Sequence, residues 1–267
     1  MQEPLFMEEV RDDGVARLTL TRPEVHNAFN EQLIGELTQA LKGLESDRRV
    51  RAVVLAAEGK SFSAGADLNW MKSMAGYSEQ ENLEDSRALA GLMRTLNDLK
   101  KPTMALVQGS AFGGGVGLVA CCDIALSVES AKFALTEVKL GLIPSVISPY
   151  VVAAIGQRAA RRYFLTGEPF TAREAAELGL IHKVVGFDDL ERSGEEVLAL
   201  LLKAGPEAQA AAKDLVFTVA DRPVDDALVE ETAKRIARIR ISAEGQEGLT
   251  SFFEKRRPEW IANGEEE

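Results

Sequence analysis

The chain has 267 residues, 46% hydrophobic and 27% charged, an ordinary globular balance long enough to bury a substantial core as one large domain or a domain with an appendage. Forty-two acidic residues against 31 Lys and Arg leave a net charge of −11, which argues against a nucleic-acid partner while permitting a local basic pocket for a phosphorylated ligand. Two adjacent cysteines, Cys121 and Cys122, and two histidines in all exclude a disulfide framework and a metal-ligand cluster. The opening Met1-Gln2-Glu3-Pro4 lacks a basic-then-apolar signal pattern, and no apolar run reaches the roughly 18 residues of a membrane span. A cytoplasmic protein with reduced thiols is the expectation.

In chain order, Val15-Ala16-Arg17-Leu18-Thr19-Leu20 alternates as a strand and stops at Thr21-Arg22-Pro23. A helix then follows Asn30, its predicted N-cap, with Leu33, Ile34, Leu37, Leu41 and Leu44 on one stripe. Residues 51–57 read as a buried strand that runs into Phe62-Ser63-Ala64-Gly65-Ala66-Asp67-Leu68, where a helix opens near Ala66 or Asp67. The polar stretch 73–82, with Gly76, is the predicted mobile segment. A helix carrying Leu83, Leu89, Leu92, Met93, Leu96 and Leu99 follows, closed by Pro102.

The unit then repeats as strand 103–107, a glycine run, a helix to Cys122, strand 123–128 and a short strand near 132–135. This strand–strand–helix order predicts stacked turns of an α/β spiral. Glu137 to Pro144 reads as a loop or short turn before an apolar helix at 146–155. Thr171-Ala172-Arg173-Glu174 is a capping box opening a helix that ends at Gly179, and a strand at 180–185 follows. Beyond Asp188 the pattern is helical only, at 188–203, 207–220, 225–241 and 245–256, with Gly264–Glu267 frayed. A boundary near 200 divides a core, 1–200, from a helical region, 201–267.

Gly113, Gly114, Gly115 and Gly117 put four glycines in five positions, a poor helix interior but a suitable place for a sharp turn, close packing or bare N–H groups. Residues 62–68 form a second such strand-to-helix passage. Each offers backbone N–H groups at a helix N-terminus, and two aimed at one point make an oxyanion hole for a thioester or ester carbonyl. The sequence has no G-x-S-x-G elbow. His26 and His182 read as structural or rim residues. Glu137, between Thr136 and Val138 and ahead of an apolar helix, is the better acid/base candidate: desolvation there raises a carboxyl pKa toward neutrality. The alternatives are a close-packed turn for the glycines and an exposed loop acid for Glu137.

FSAGADL (62–68), GSAFGGGVGL (109–118), TEVKLGLIP (136–144), Arg22-Pro23 with Asn27-Ala28, the Thr171–Gly179 helix and Phe252-Phe253-Glu254-Lys255-Arg256 resemble the crotonase, or enoyl-CoA hydratase/isomerase, superfamily over nearly the whole chain. The resemblance implies a crotonase-like ββα spiral core with a C-terminal α-helical oligomerisation region, assembled as a homotrimer or a hexamer of paired trimers. It implies an acyl-CoA thioester substrate, with coenzyme A part of the substrate and no separate cofactor or metal. Matched by motif, the oxyanion-hole N–H groups fall on Ala64 and Gly114, with Glu137 as the catalytic carboxylate. CoA is expected along Glu24, Val25 and His26 and along Ala64, Gly65, Ala66, Asp67 and Leu68, with Lys255 reaching its phosphates.

One position departs from the pattern. Hydratases of the family usually carry a second glutamate where this chain has Gly117. Single-glutamate members include enoyl-CoA isomerases, which shuttle a proton between C2 and C4. Gly117-Leu118, Cys121-Cys122-Asp123 and Leu142 to Tyr150 resemble instead the bacterial 3-methylglutaconyl-CoA and isohexenylglutaconyl-CoA hydratases, with Ser145 and Ser148 in a loop that is usually glycine-rich. Arg94 and Lys72 join those serines as candidates to meet a distal acyl carboxylate. Reversible hydration of a 3-methylglutaconyl-type thioester is the favoured expectation; isomerisation and non-catalytic CoA binding are the alternatives.

Overall fold

The computed structural model describes residues 4–261, so Met1–Glu3 and the frayed end expected at Gly264–Glu267 lie outside the described residues. Its elements are β1 (Phe6–Val10), β2 (Val15–Leu20), α1 (Glu31–Ser46), β3 (Ala52–Ala57), β4 (Ser61–Ser63), α2 (Leu68–Met74), α3 (Glu79–Asn97), β5 (Thr103–Val107), β6 (Ser110–Phe112), α4 (Gly114–Cys121), β7 (Ile124–Val128) and β8 (Lys132–Ala134). A 3-10 turn at Glu137–Leu140 then leads to α5 (Ser148–Thr166), β9 (Phe170–Thr171), α6 (Ala172–Leu178), β10 (Lys183–Val185), α7 (Leu190–Lys203), α8 (Pro206–Val219), α9 (Asp226–Ile241) and α10 (Ala243–Glu254).

Two sheets organise the core. The larger runs β1-β2-β3-β5-β7-β10 and is parallel except for β1, which pairs antiparallel with β2. Its central strands are covered on both faces, so AVVLAA and TMALV read as continuous apolar runs rather than alternating ones. The smaller sheet runs β4-β6-β8-β9. Each turn of the chain contributes one strand to the first sheet, the next to the second, and then a helix: β3, β4 and α2–α3; β5, β6 and α4; β7, β8 and α5. This is an α/β spiral with a helical C-terminal region, the architecture that the resemblance implies.

Asn30 does cap α1, its side chain accepting from Leu33 N–H, and the stripe Leu33, Ile34, Leu37, Leu41 and Leu44 is buried. Each such side chain contributes about 1.5–3 kcal/mol on burial. The capping box Thr171/Glu174 opens α6 and Gly179, at φ 92°, closes it. Helix α7 packs on β3, β5 and β7, whereas α8, α9 and α10 pack on one another. No helix among the described residues is long and apolar enough to cross a membrane.

Four local expectations are corrected. The edge strand β1 (FMEEV) carries no strand signal in sequence because its middle residues Met7, Glu8 and Glu9 are all exposed and do not alternate. Strands β4 and β6, of three residues each, are too short to carry a period. Much of 73–82 is helical: a capping box, Ser78 with Glu81, starts α3 at Glu79, ahead of the first apolar stripe residue. Helix also continues beyond 155. Gly156, at φ 74° and ψ 157°, breaks α5, and a second helical piece runs on to Thr166.

Candidate active site

The passage from β4 to α2 is fastened to residues 22–29 by buried polar groups. Asn27 is fully buried with φ 53°, beside His26 at φ 54°, both in the left-handed region that few non-glycine residues occupy. Asn27 Oδ1 accepts from Arg22 N–H (2.8 Å), and its Nδ2 donates to the carbonyls of Glu58 and Ser61 (both 2.8 Å). Ser63 Oγ donates to the Asn27 carbonyl (2.9 Å). Arg22 pairs with Asp67 at 3.0 Å and also donates to the Ala28 carbonyl (2.6 Å). Burial pushes the Asp67 carboxyl up, but the Asn69 N–H that it caps and the Arg22 guanidinium together hold it below its ordinary value.

Phe29 forms a parallel bridge to Ala66: Phe29 N–H donates to Gly65 O (2.6 Å) and Asp67 N–H donates to Phe29 O (2.8 Å). This fixes which N–H groups are available. Ala64 N–H donates to the His26 carbonyl at 2.9 Å, so the expectation that Ala64 supplies a free oxyanion donor is corrected. Gly65 O and Asp67 N–H are the groups turned to Phe29; the N–H of Ala66 between them faces the other side of the strand. The β6 end and Gly114 lie there, because β4 pairs with β6 through Ser61/Ser110 and Ser63/Ala111.

The second passage is shaped by missing side chains. Gly113, at φ 50°, donates its N–H to Ala134 O (2.9 Å) and turns the chain into α4. Gly114 heads that helix, whose first N–H groups fall outside its own hydrogen-bond ladder. A methyl on Gly114 would sit 2.5 Å from Phe29 Cε2, and one on Gly115 would sit 2.6 Å from Ser63 O. The Cβ position of Gly65 lies 3.4 Å from Gly114 N, so the two passages touch.

Glu137 completes the constellation. The 3-10 turn after β8 carries it to Gly113, where an added methyl would lie 3.0 Å from Oε1. Its Oε2 is buried and has no hydrogen-bond partner among the described residues. Burial pushes its pKa above the ordinary carboxylate value. At Gly117, where a second acid would stand, a Cβ would lie 2.3 Å from Ile147 Cγ2 and 3.3 Å from Met93 Cε. The space is filled with hydrocarbon.

Other expected residues fall as follows. Glu24 and Val25 sit in the exposed 3-10 turn Pro23–Val25, His26 Nδ1 lies 3.1 Å from Ser61 Oγ, and Leu68 is exposed. His182 Nδ1 accepts from Ala125 N–H, a structural role. Lys255 is not brought to the site within the chain. It caps α10 next to a tail that Arg51, donating to Trp260 O, and Lys203 O, accepting from Trp260 Nε1, fasten at the start of β3. The two passages lie beyond the other end of that strand, roughly 20 Å away along six residues at about 3.3 Å each. Lys72 is exposed, Arg94 is exposed and pairs with Asp98, and Ser148 Oγ donates to Ser145 O. Cys121 and Cys122 are buried, and burial pushes both thiols up, Cys122 to about 12. No metal-binding cluster occurs among the described residues.

Sequence reasoning named Ala66 only as a ligand-lining residue and missed Ile147 and Met93 as walls. The Ala64/Ala66 choice depends on bridge register, which local composition does not carry; the bulky Ile147 beside a usually glycine-rich loop was the available signal for the wall.

The enoyl-CoA hydratase/isomerase family model matches residues 10–263. A putative enoyl-CoA hydratase of Thermus thermophilus is 35% identical over 94% of this chain and 99% of its own length. Two crystal structures are similar at 48% identity. A putative enoyl-CoA hydratase/isomerase (crotonase) from Legionella pneumophila has TM-score 0.91, with 96% of this chain and 98% of that one covered. An enoyl-CoA hydratase from Shewanella pealeana has TM-score 0.94, with 96% of each chain covered.

Proposed function

The chain belongs to the enoyl-CoA hydratase/isomerase family, and from that premise we propose that it hydrates a branched enoyl-CoA of the 3-methylglutaconyl type reversibly, with Glu137 as the one catalytic glutamate. The observation that carries the reading is Glu137 itself: half-buried, held against Gly113, one oxygen without a hydrogen-bond partner among the described residues, its pKa raised. Ala66 and Gly114 N–H groups receive the thioester oxygen, where negative charge develops as C2 becomes enolate-like. Ionised Glu137 takes a proton from water as the water oxygen bonds to C3; the electron pair moves to the thioester oxygen. Protonated Glu137 then delivers that proton to C2 on the same face, and the ionised carboxylate is restored.

CoA lies along residues 24–26 and 64–68 in this reading, and Lys255 reaches its phosphates only from another copy of the chain, in keeping with a trimer or hexamer. A second reading, Δ3-Δ2-enoyl-CoA isomerisation, is favoured by the hydrocarbon at Gly117: Ile147 and Met93 offer no group to hold water, whereas one carboxylate suffices to carry a proton between C4 and C2.

Glu137→Gln tests the shared core, with turnover expected to fall by roughly 10²–10⁴-fold while CoA binding persists. Near-normal turnover would sink the assignment. Supplying 3-methylglutaconyl-CoA and a straight 3-enoyl-CoA to the wild-type chain separates the two readings: hydroxyacyl product from the first supports hydration, and a shifted double bond in the second supports isomerisation.

A further inference from the structure

Gly113, the N-cap of helix α4, and Gly117 and Cys121 within the helix stand at steps of four residues, about 6 Å per step at 1.5 Å per residue. Different neighbours meet each step. Glu137 lies at Gly113; Ile147 and Met93 close on Gly117; and at Cys121 lies a surface cavity of about 320 Å³, lined also by Asn97 and Tyr150 and rimmed by the exposed Pro149, Ala153 and Phe217. The neighbouring elements advance in parallel. Met93 to Asn97 is one turn of α3, and Ile147 to Tyr150 crosses into the first turn of α5. A hydrocarbon wall therefore stands between the carboxylate and the cavity. Ile147 is 3% exposed, Met93 is fully buried, and Met93 Sδ lies 3.9 Å from Cys121 Sγ at the cavity's edge.

We propose that Ile147, seated on Gly117 and backed by Met93, is a specificity-determining residue that ends the acyl channel one helical turn beyond Glu137. The wall restricts the protein to short acyl groups. Behind it lies room that a longer chain would enter if the wall were opened. Gly117 is required for this arrangement, because any side chain there would collide with Ile147. The inference rests on the acyl-CoA reading above and deepens it.

The test compares kcat/KM for butenoyl-CoA and decenoyl-CoA in wild type, Ile147→Ala, Ile147→Val and Ile147→Ala combined with Ala153→Leu, which fills the far cavity lined by Ala153. Wild type is expected to prefer butenoyl-CoA. Ile147→Ala should raise the decenoyl-to-butenoyl ratio by roughly 10–100-fold, the scale on which apolar pockets discriminate chain length. The double variant should return it toward wild type. Ile147→Val should move the ratio a few-fold in the same direction, which keeps the test open should the alanine variant not fold.

Calorimetric binding of the saturated butanoyl-CoA and decanoyl-CoA reads the same channel without turnover. No turnover of any thioester by wild type would defeat the functional reading, while a binding ratio that shifts on opening the wall would still support the plug. An unchanged ratio in a folded Ile147→Ala variant, or equal use of both thioesters by wild type, would overturn it.

Discussion

The two passages that meet at the site are built in opposite ways. Residues 61–68 are held by polar groups: Asn27, Ser63, Arg22 and Asp67 spend their hydrogen bonds on backbone and on one another inside the protein. Residues 113–117 carry a single side chain, that of Val116. Their position follows from how closely Phe29, Ser63 and Ile147 can approach bare backbone. The first passage is specified by satisfied polar partners, the second by excluded volume. Both bring bare backbone to one place, where the Cβ position of Gly65 lies 3.4 Å from Gly114 N.

The contrast predicts different responses to substitution. Arg22→Ala should be the most damaging, because it leaves Asp67 buried and unpaired; a loss of about 3–5 kcal/mol is expected, read as a fall in Tm and in denaturation midpoint. Gly115→Ala should cost about 1–3 kcal/mol through overpacking against Ser63. If the glycine variant proved as stable as wild type, close packing would not be what sets the second passage. Ser63→Ala removes a single buried hydroxyl and should cost about 1 kcal/mol; a much larger loss would mean that the polar network acts as one unit.

The smallest effect concerns pH and involves Glu137, which belongs to neither passage. Its pKa is raised by burial, so the ionised base is lost as pH falls through a value above the usual 4.5. The acid limb of kcat/KM should therefore lie higher than an exposed glutamate would give. A limb at or below 4.5 would show that Glu137 is not the titrating base.

Much of this was readable from residues. The Asn30 cap, the Thr171/Glu174 capping box, the alternating strand 15–20 and the position of Glu137 all express local chemistry, and the structure places those elements as read. What escaped depends on contacts between distant segments. Whether Ala64 or Ala66 turns its N–H inward depends on the register of the bridge to Phe29, 37 residues away. That Ile147 lies on Gly117 depends on how α5 packs against α4. The helix beyond Gly156 was hidden because glycine is an ordinary stop signal, and here the chain bends and resumes.

Cys121 and Cys122 add a practical consequence. Cys121 ends the helix that begins at Gly114 and Cys122 follows it as the C-cap; burial keeps both thiols protonated at neutral pH. Thiolate is the reactive form, so a maleimide added to the native protein should label them only when that helix opens. Labelling rate then becomes a clock for the local opening of the segment that carries an N–H donor, readable by mass in intact protein and slowed by whatever ligand holds the segment shut.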